Sequence, residues 1–492
     1  MLQRTGSTAL KRGARIAGLI EQDIAQQGLP AGHYLGTEDD LSSEHGVSRW
    51  VVREAIAIAE MDGLVESRRG NSGGLYVSAP GADLRVATLR NFMTLAGATA
   101  EEVNDLRAVL EEHALLSAMR RLTMADVDQL RNFQTLPKGA APEQRALNTH
   151  AILDLILALP GNPAITLFCL ALAQVNIDRA LWYGATTDAI QQLSEQTWTL
   201  RLRQVEALIA FDTETVLACQ REIADAGIAL HRGFDDPPND VSEAVERASL
   251  LSRNYLFAHG VRVAKKPEAV ARFIAQRIVG LDEGSALGSE ATLLARLGVS
   301  RNVLRESIRL LEQYGIVRVQ VGKEGGLRVI KGTPLNVVRA TSLFLAEDYA
   351  RDPASFHSVT RDLQLYAADL AARRAARGDP AISATIDAFE AQIDPPLASV
   401  RDFVFGHYHF LAEASGSRAL QCLMESLVFQ VDFRAAPEDV PEAADLRAQQ
   451  RQLVAAIREG DAALARRLTM LLRRSGWKFG PIPRPTAQLL ER

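Results

Sequence analysis

The chain has 492 residues, of which 47% are apolar and 23% are charged. These fractions are close to those of soluble globular proteins, so they exclude a disordered, collagen-like or coiled-coil chain. At roughly 100–200 residues per domain, the length corresponds to three to five domains. The net charge of −5, from 55 basic and 60 acidic side chains, excludes a basic coat over the whole protein. Nucleic-acid binding would therefore depend on local basic patches.

The cysteines and the apolar segments indicate the cellular compartment of the protein. Cys169, Cys219 and Cys422 lie far apart, which favours neither a disulfide framework nor a cysteine-rich zinc site. The longest apolar stretches, such as 164–173, are shorter than the about 20 residues that a membrane-spanning helix needs. The basic N-terminus lacks the apolar core of a signal peptide. We therefore predict a cytoplasmic protein with no membrane partner.

The sequence repeats itself at about half its length. Residues Gly32–Val77 align without a gap with Gly284–Val329, at a shift of 252 residues, and 21 of the 46 aligned positions are identical. Chance does not produce that degree of identity. Because the period is about half the chain, the sequence indicates a tandem duplication of a two-domain unit rather than a solenoid.

Each copy has the pattern of two short helices followed by a β-hairpin. In the first copy, the apolar spacing predicts a helix over 14–27. The next helix opens on Thr37 with Asp40 three residues later, which resembles a capping box, and Gly46 ends it. A further helix follows Ser48 and runs to about residue 61. Two helices joined by a short glycine-containing turn form a helix-turn-helix, whose second helix reads the DNA major groove.

The start of the second helix and the hairpin carry the predicted DNA contacts. Arginine bonds guanine bidentately or contacts phosphate, and a helix N-terminus attracts phosphate. Trp50, at the head of the helix, either contacts a thymine methyl group or packs against the domain and weakens readout. The hairpin has a glycine-rich tip, which is typical of a wing. The predicted contacts are Thr37, Ser48, Arg49, Trp50, Arg53, Arg68, Arg69 and Asn71 in the first copy, and Ser289, Ser300, Arg301, Asn302, Arg305 and Lys323 in the second.

The rest of each unit has apolar residues at helical spacing, which predicts helices over 103–121, 147–159, 163–182, 187–211 and 213–231 in the first half, and over 359–374, 382–393, 397–415, 418–433, 442–459 and 462–472 in the second. The predicted fold is mainly α, with two winged helix-turn-helix domains, each with a small β-hairpin wing, alternating with two all-α helical bundles. The predicted boundaries are 8–80 for the first winged domain, 83–234 for the first helical domain, 235–265 for a linker with a connecting helix, 266–332 for the second winged domain, 335–478 for the second helical domain and 479–492 for a tail.

The shared motifs resemble a known family. Both copies contain GVSR-x-V, then RE, and later GG-x-x-V after a glycine-rich segment. This pattern resembles the DNA-binding domain of GntR-type transcriptional regulators. The larger domains resemble the effector domains of the FadR-like subfamily through LRAVLEEHALLSAMRR, with Arg107 and Glu111, and through LPGNPAI at 159–165. The resemblance implies one unit per chain, acting as a homodimer on a pseudopalindromic operator, whereas this chain carries two units.

The resemblance also implies a metal site that this sequence departs from. Many effector domains of the family bind a divalent metal through one aspartate and three histidines, with a small carboxylate ligand against it. The residues that fall at these positions here are Thr149, Leu153, Arg201 and Ile223 in the first half, and Val404, Tyr408, Gln450 and Leu472 in the second. We therefore expect that both copies have lost the metal site and that no metal cofactor is needed.

A ligand cavity without a metal remains an open alternative, because helical bundles form pockets between facing helices. The candidate lining residues are Arg107, His150, Arg201, Tyr408 and Gln450. They would bind a small effector, for example a carboxylate. The same bundles could equally serve only as packed dimerisation modules.

The two winged domains differ in charge. Residues 1–80 carry eight basic and ten acidic side chains, whereas residues 267–331 carry ten basic and seven acidic side chains. Since non-specific affinity depends on phosphate neutralisation, we expect the second copy to be the stronger DNA anchor. The reading helices also differ, with Trp50 in one and Asn302 in the other, so we expect an imperfect palindrome as the operator.

These features together predict a transcriptional regulator in which one chain acts as a pseudo-dimer on double-stranded DNA, with further association of two chains left open. An enzyme is not expected, because the sequence has no nucleophile–base pair, phosphate-binding loop or metal cluster. The alternative is a ligand-binding or interaction scaffold in which only the second DNA-binding domain is active.

Overall fold

The structure, a computed structural model, describes residues 12–27, 29, 32–61, 65–68, 73–78, 82–135, 141–234, 236–250, 266–320, 326–331, 335–393, 400–428 and 443–474. These residues form long helices and two small sheets, so the predicted mainly-α fold class is confirmed. The predicted tail and most of the predicted linker, at 251–265, lie outside the described residues.

The first half contains eleven described helices and three strands. In chain order, these are α1 (Arg12–Gln27), β1 (Tyr34–Gly36), α2 (Glu38–Glu44), α3 (Arg49–Met61), β2 (Val65–Arg68), β3 (Gly74–Val77), α4 (Ala82–Leu95), α5 (Ala100–Met119), α6 (Met124–Gln134), α7 (Pro142–Ala158), α8 (Pro163–Trp182), α9 (Thr187–Ile209), α10 (Thr213–Arg232) and α11 (Val241–Leu250). We call α1–β3 the first winged domain and α4–α10 the first helical domain.

The second half follows the same order. Its described elements are α12 (Lys266–Ile278), β4 (Ala286–Gly288), α13 (Glu290–Leu297), α14 (Arg301–Gln313), β5 (Val317–Gln320), β6 (Gly326–Val329), α15 (Leu335–Arg351), α16 (Pro353–Ala376), α17 (Pro380–Ile393), α18 (Val400–Ser415), α19 (Arg418–Val428), α20 (Ala443–Arg458) and α21 (Ala462–Arg474). We call α12–β6 the second winged domain and α15–α21 the second helical domain.

Each winged domain contains a three-stranded antiparallel sheet. The strand orders are β1-β3-β2 and β4-β6-β5, so the last strand of each hairpin lies in the middle. The sequence predicted the hairpins but not β1 and β4, which are only three residues long and too short to show an alternating pattern. These strands tie the start of the helix-turn-helix to the wing.

A glycine at the same place in both sheets permits this close pairing. Gly74 and Gly326 both have φ of +154°, a conformation that side chains disfavour. A Cβ atom at Gly326 would lie 2.7 Å from the carbonyl oxygen of Gly288 in β4. The second glycine of each GG pair is therefore needed for the third strand to pair.

Helix α8 is the central helix of the first helical domain. The Asn162 side chain accepts a hydrogen bond from the Ala164 N–H, and Pro163 occupies the first turn, so the helix start is well defined. Among the described helices, this one is long and apolar enough to cross a membrane, but 67% of its most apolar window is buried inside the protein. It packs as a core helix against α4 and α5.

The two halves pack together through equivalent helices. Helix α4 contacts α15, and α5 contacts both α16 and α19. Among the described residues, one continuous apolar core runs through both helical domains and the second winged domain. The first winged domain has a separate core, built on Ile16, Ile20, Leu41, Val52 and Ala55. The two winged domains are thus attached to the rest of the protein in different ways.

Candidate nucleic-acid interface

The first helix of each helix-turn-helix is fixed by a side-chain cap. The Thr37 hydroxyl accepts a hydrogen bond from the Asp40 N–H, and the Asp40 carboxylate accepts one from the Thr37 N–H at 2.8 Å. The hydrogen bonds that the Asp40 carboxylate accepts from the Thr37 N–H and from the Thr37 hydroxyl lower the pKa of Asp40. In the second copy, Ser289 Oγ accepts from the Thr292 N–H at 3.2 Å. Thr37 and Ser289, predicted as DNA contacts, therefore act at least as helix caps.

The reading helices α3 and α14 present their basic residues to solvent. The side chains of Arg49 and Arg53 are 64% and 65% exposed, and those of Arg301 and Arg305 are 67% and 58% exposed. Trp50 is also 67% exposed, so it does not pack into the domain core. Each reading helix thus has an exposed, basic N-terminal end.

Acidic residues of the preceding helix hold these arginines. Arg53 Nε lies 2.7 Å from Glu38 Oε2, and the equivalent Arg305 Nε lies 3.1 Å from Glu290 Oε1. Glu290 also contacts Arg301 Nε at 3.3 Å. Exposed ion pairs of this kind are worth about 0–1 kcal/mol, so a DNA phosphate or guanine can replace the carboxylate. Sequence reasoning missed these glutamates, although both copies have Glu directly after the cap.

The wings are only partly described. Arg68 pairs with Glu66 at 2.6 Å, and its guanidinium lies 4.3 Å from the centroid of the Tyr76 ring. In the second copy, Arg328 of β6 donates to Gln320 Oε1 instead. The predicted tip contacts, at Arg69, Asn71 and Lys323, lie outside the described residues.

The second winged domain is fixed to the first helical domain by a buried ion pair. Arg272 Nη1 of α12 lies 2.8 Å from Asp178 Oδ1 of α8, and the two side chains are only 12% and 8% exposed. The same guanidinium lies 4.2 Å from the centroid of the Trp182 ring, whose Nε1–H donates to Gln276 Oε1 at 2.9 Å. This arrangement holds the second reading helix in a set orientation relative to the first half.

The interior of the first helical domain contains a charged network. Glu111 accepts from Arg107 Nη2 at 2.6 Å, from Arg201 Nη2 at 2.7 Å and from Gln220 Nε2 at 2.6 Å. Burial acts to raise the pKa of Glu111, but the two guanidinium groups outweigh it and lower this pKa to about 2. Two guanidinium groups share one carboxylate, so the network carries a net positive charge.

The other predicted ligand residues lie elsewhere. His150 is half-buried on α7, whereas Tyr408 on α18 and Gln450 on α20 are buried in the second helical domain. The five candidates therefore do not form one pocket: Arg107 and Arg201 meet at Glu111 in the first helical domain, while Tyr408 and Gln450 belong to the second.

The metal site implied by the resemblance does not fit the residues present. Among the described residues, no three His, Cys, Asp or Glu side chains come close enough to hold a metal ion. The Arg201 guanidinium stands where the resemblance would place a histidine, and it bonds the nearby Glu111 carboxylate. A fixed cation of the protein would therefore repel a metal ion at this place.

Comparison with known proteins agrees with this geometry. The family model described as bacterial regulatory proteins, gntR family, matches residues 12–75 and 267–326, which are the two winged domains. Each half of the chain thus contains one segment that matches this family's DNA-binding domain.

Two relatives illustrate the extent of the similarity. The Uxu operon regulator of Haemophilus influenzae is 44% identical over 63 residues, which are 13% of this chain and 23% of that protein. The HTH-type transcriptional repressor NanR of Escherichia coli K12 is 29% identical over 204 residues, which are 40% of this chain and 74% of the repressor. The match thus spans about a quarter of the first relative. Both relatives are named as regulators rather than enzymes.

Two solved structures also match, at low TM-scores. Streptococcus agalactiae GntR aligns over 45% of this chain and 99% of its own, with 16% identity and a TM-score of 0.29. Escherichia coli McbR/YncC aligns over 46% and 99%, with 18% identity and a TM-score of 0.23.

Proposed function

We propose that this chain is a cytoplasmic, DNA-binding transcriptional regulator of gntR type in which one polypeptide acts as a pseudo-dimer. The observation that carries the proposal is the exposed pair of arginines at the start of each reading helix, Arg49 with Arg53 and Arg301 with Arg305. Their acidic partners are exposed and weakly held, so both helices are available to a DNA groove. Two such helices in one chain would contact two half-sites.

The operator is an imperfect palindrome in this proposal. Trp50 occupies the position that Asn302 has in the second copy, and both are exposed. A tryptophan offers an apolar surface to a thymine methyl group, whereas an asparagine bonds adenine N6 and N7. The two half-sites therefore differ at the base pairs that these residues face.

The helical domains set the distance between the half-sites. They pack through α5 and α16, and Arg272 and Asp178 fix the second winged domain on the first helical domain. In this respect they take the role that subunit contacts have in a homodimer. Two chains could still associate further through other surfaces.

The helical domains also bind a small effector, such as a carboxylate, in this proposal. The net positive charge around Glu111, from Arg107 and Arg201, supports an anionic ligand in the first helical domain. A ligand that favours one angle between the halves would change the half-site spacing and shift the population between DNA-binding and non-binding states.

Selection of duplexes from a random DNA library, followed by footprinting on the full chain, tests the proposal. We expect two unequal protected half-sites per chain. Arg49→Ala with Arg53→Ala should relax the sequence preference in one half-site, and Arg301→Ala with Arg305→Ala should relax it in the other. The absence of any preferred duplex would refute DNA regulation.

The alternative function is a ligand-binding or interaction scaffold in which only the second DNA-binding domain is active. The excess of acidic over basic side chains in 1–80 and the separate core of the first winged domain favour it. One protected half-site per chain, insensitive to Arg49→Ala, would support this alternative over the pseudo-dimer.

A further inference from the structure

A polar cavity lies between the two helical domains. Its volume is about 500 Å³, and its walls are formed by α5 of the first half, α16 of the second half and Arg466 of α21. Helices α5 and α16 occupy equivalent places in the two halves, so the cavity lies at the pseudo-symmetric junction. It does not include Arg107 or Arg201, and it is therefore separate from the charged network inside the first bundle.

Hydrogen bonds across the junction fix one part of the cavity wall. His113 Nδ1 lies 2.6 Å from Asp362 Oδ2, and His113 Nε2 lies 3.2 Å from Ser358 Oγ. The other oxygen of Asp362 accepts from Arg361 Nε at 2.7 Å. Burial acts to raise the pKa of Asp362, but the hydrogen bonds from His113 and Arg361 outweigh it and lower this pKa. Asp362 is thus an ionised carboxylate whose two oxygens are already engaged.

The remaining charged groups of the wall are different. Arg120, which follows the last residue of α5, and Arg466 of α21 line the cavity with exposed side chains, and within the described part of the chain their guanidinium groups have no side-chain partner. The Asp369 carboxylate accepts a hydrogen bond from Arg373. The Glu112 carboxylate, like the two guanidinium groups, has no side-chain partner among the described residues. The free groups are two guanidiniums and one carboxylate, so the cavity offers an excess of positive charge and one acceptor.

We propose that this cavity binds a small organic oxyanion, a carboxylate or a phosphoester that also carries hydroxyl groups. The planar fork of arginine matches the oxygen geometry of carboxylates and phosphates, so Arg120 and Arg466 hold the anionic group. Glu112 and Ser117 bond the hydroxyl groups. A cavity of this size is within the range of about 300–1,000 Å³ that small-molecule sites occupy.

A ligand in this cavity touches both halves at once. It would therefore change the angle between the two helical domains, and this consequence rests on the proposed function. The binding itself does not depend on DNA, so the two can be tested separately.

Isothermal titration of the full chain with two probes tests the site. Citrate represents carboxylates and fructose 1,6-bisphosphate represents phosphoesters, and each is compared with sulfate at equal ionic strength. We expect saturable binding of at least one organic probe that sulfate does not match. The double variant Arg120→Ala/Arg466→Ala should weaken this binding at least tenfold.

The matched control is Arg377→Ala/Arg467→Ala, which removes two exposed arginines outside the cavity and should leave the affinity unchanged. Ser117→Trp fills the cavity without removing a charge, and it should also abolish binding. Circular dichroism establishes that each variant is folded.

No saturable binding of either organic probe, equal binding of sulfate, or unchanged affinity in the Arg120/Arg466 double variant would each overturn the site. Operator binding without any probe is measured in parallel. A chain that loses probe binding in the double variant but recognises no operator would retain the site and refute only the proposed function.

Discussion

The buried ion pair between Arg272 and Asp178 gives the sharpest prediction about how the second reading helix is positioned. Replacing Arg272 with Met, or Asp178 with Asn, removes one partner and leaves the other charge or its hydrogen bonds unsatisfied in a site where the side chains are 12% and 8% exposed. Arg272 Nη2 also donates to the Asp178 carbonyl oxygen at 3.1 Å, so the guanidinium ties side chain and backbone together.

The expected loss follows from this burial. Breaking a buried ion pair by removing one partner costs about 3–5 kcal/mol. Arg272→Met also removes the contact with the Trp182 ring, which is worth about 2 kcal/mol when desolvated. We expect each single variant to weaken the attachment of α12 to α8 by about 3–5 kcal/mol, with Arg272→Met at the upper end of this range. At 1.36 kcal/mol per tenfold change, hydrogen–deuterium exchange in α12 should quicken by roughly two to four orders of magnitude.

The double variant Arg272→Met/Asp178→Asn separates the contribution of the ion pair from other effects of the substitutions. With both charges removed, it should be less destabilised than the sum of the single variants, because no unpaired charge stays buried. The exposed pair Arg203–Glu222, at 3.4 Å, is the control, and Arg203→Met should cost less than about 1 kcal/mol. Additive losses below about 1 kcal/mol at Arg272 and Asp178 would refute the view that this pair fixes the second winged domain.

Three further predictions concern recognition and pH. Arg301→Ala and Arg305→Ala should each cost about 1–3 kcal/mol of specific operator affinity in a filter-binding or fluorescence titration. The control is Arg309→Ala, which removes an exposed arginine of the same helix and should cost little. Equal effects of all three variants would argue against a specific reading role. Replacing thymine with uracil in the half-site of α3 should weaken binding of the wild-type chain but not of Trp50→Ala, since only the methyl group is lost; an equal loss in both would exclude a methyl contact. The pKa of Glu111 is lowered from 4.5 to about 2, so its ionised form contributes roughly 3 kcal/mol to folding above pH 4.5, and this stability is lost as the pH falls towards 2. In urea unfolding, the free energy of unfolding of Glu111→Gln should therefore depend less on pH in that range than that of the wild-type chain. An unchanged pH dependence would contradict the assignment.

Local signals in the sequence were enough to predict the elements that the reading helices depend on. Helix α3 was expected from Ser48 to about residue 61, and it spans Arg49–Met61. Helix α8 begins at Pro163 and ends at Trp182, as its apolar spacing predicts. Helix α3 buries one apolar face, whereas α8 is apolar and buried on most sides.

Helices α4, α6 and α15 were not predicted, and the reason for α4 differs from the reason for α6. Helix α4 contacts α8, α12 and α15 on different sides, and it buries Arg85 and Thr88 together with apolar residues, so no single apolar face is visible in its sequence. Helix α6 does carry a start signal, since Thr123 and Asp126 form a capping box, but Met124 at its first position is 70% exposed. Helix α6 could therefore have been predicted from the sequence, whereas helix α4 could not.

The same distinction applies to the candidate site. Exposure of Arg301 and Arg305 follows from the helical pattern, because the opposite face of α14 carries the apolar residues. The pair of Arg272 with Asp178 joins residues that are 94 positions apart, and the pair of His113 with Asp362 joins residues that are 249 apart. No spacing rule links such distant positions, so the attachment of the second winged domain and the junction cavity required the structure.

Fusion of two units in one chain explains why the halves differ as they do. The buried faces of α5 and α16 correspond at a shift of 257 residues, which places Gln364 at the position of Arg107 and Ala368 at the position of Glu111. In a homodimer, every substitution occurs in both subunits, so a charged network and a neutral core cannot coexist at equivalent places. A fused pair has no such constraint, and each position changes independently. The first half can then keep the charged interior while the second keeps a neutral one, as Trp50 and Asn302 differ between the reading helices.

Restoring symmetry by Gln364→Arg would place an unpaired guanidinium beside Ala368 in the second core, and we expect it to destabilise that domain by about 3–5 kcal/mol. The same substitution accompanied by Ala368→Glu should recover part of this loss in urea unfolding, and no recovery would mean that the two interiors differ in more than these two residues.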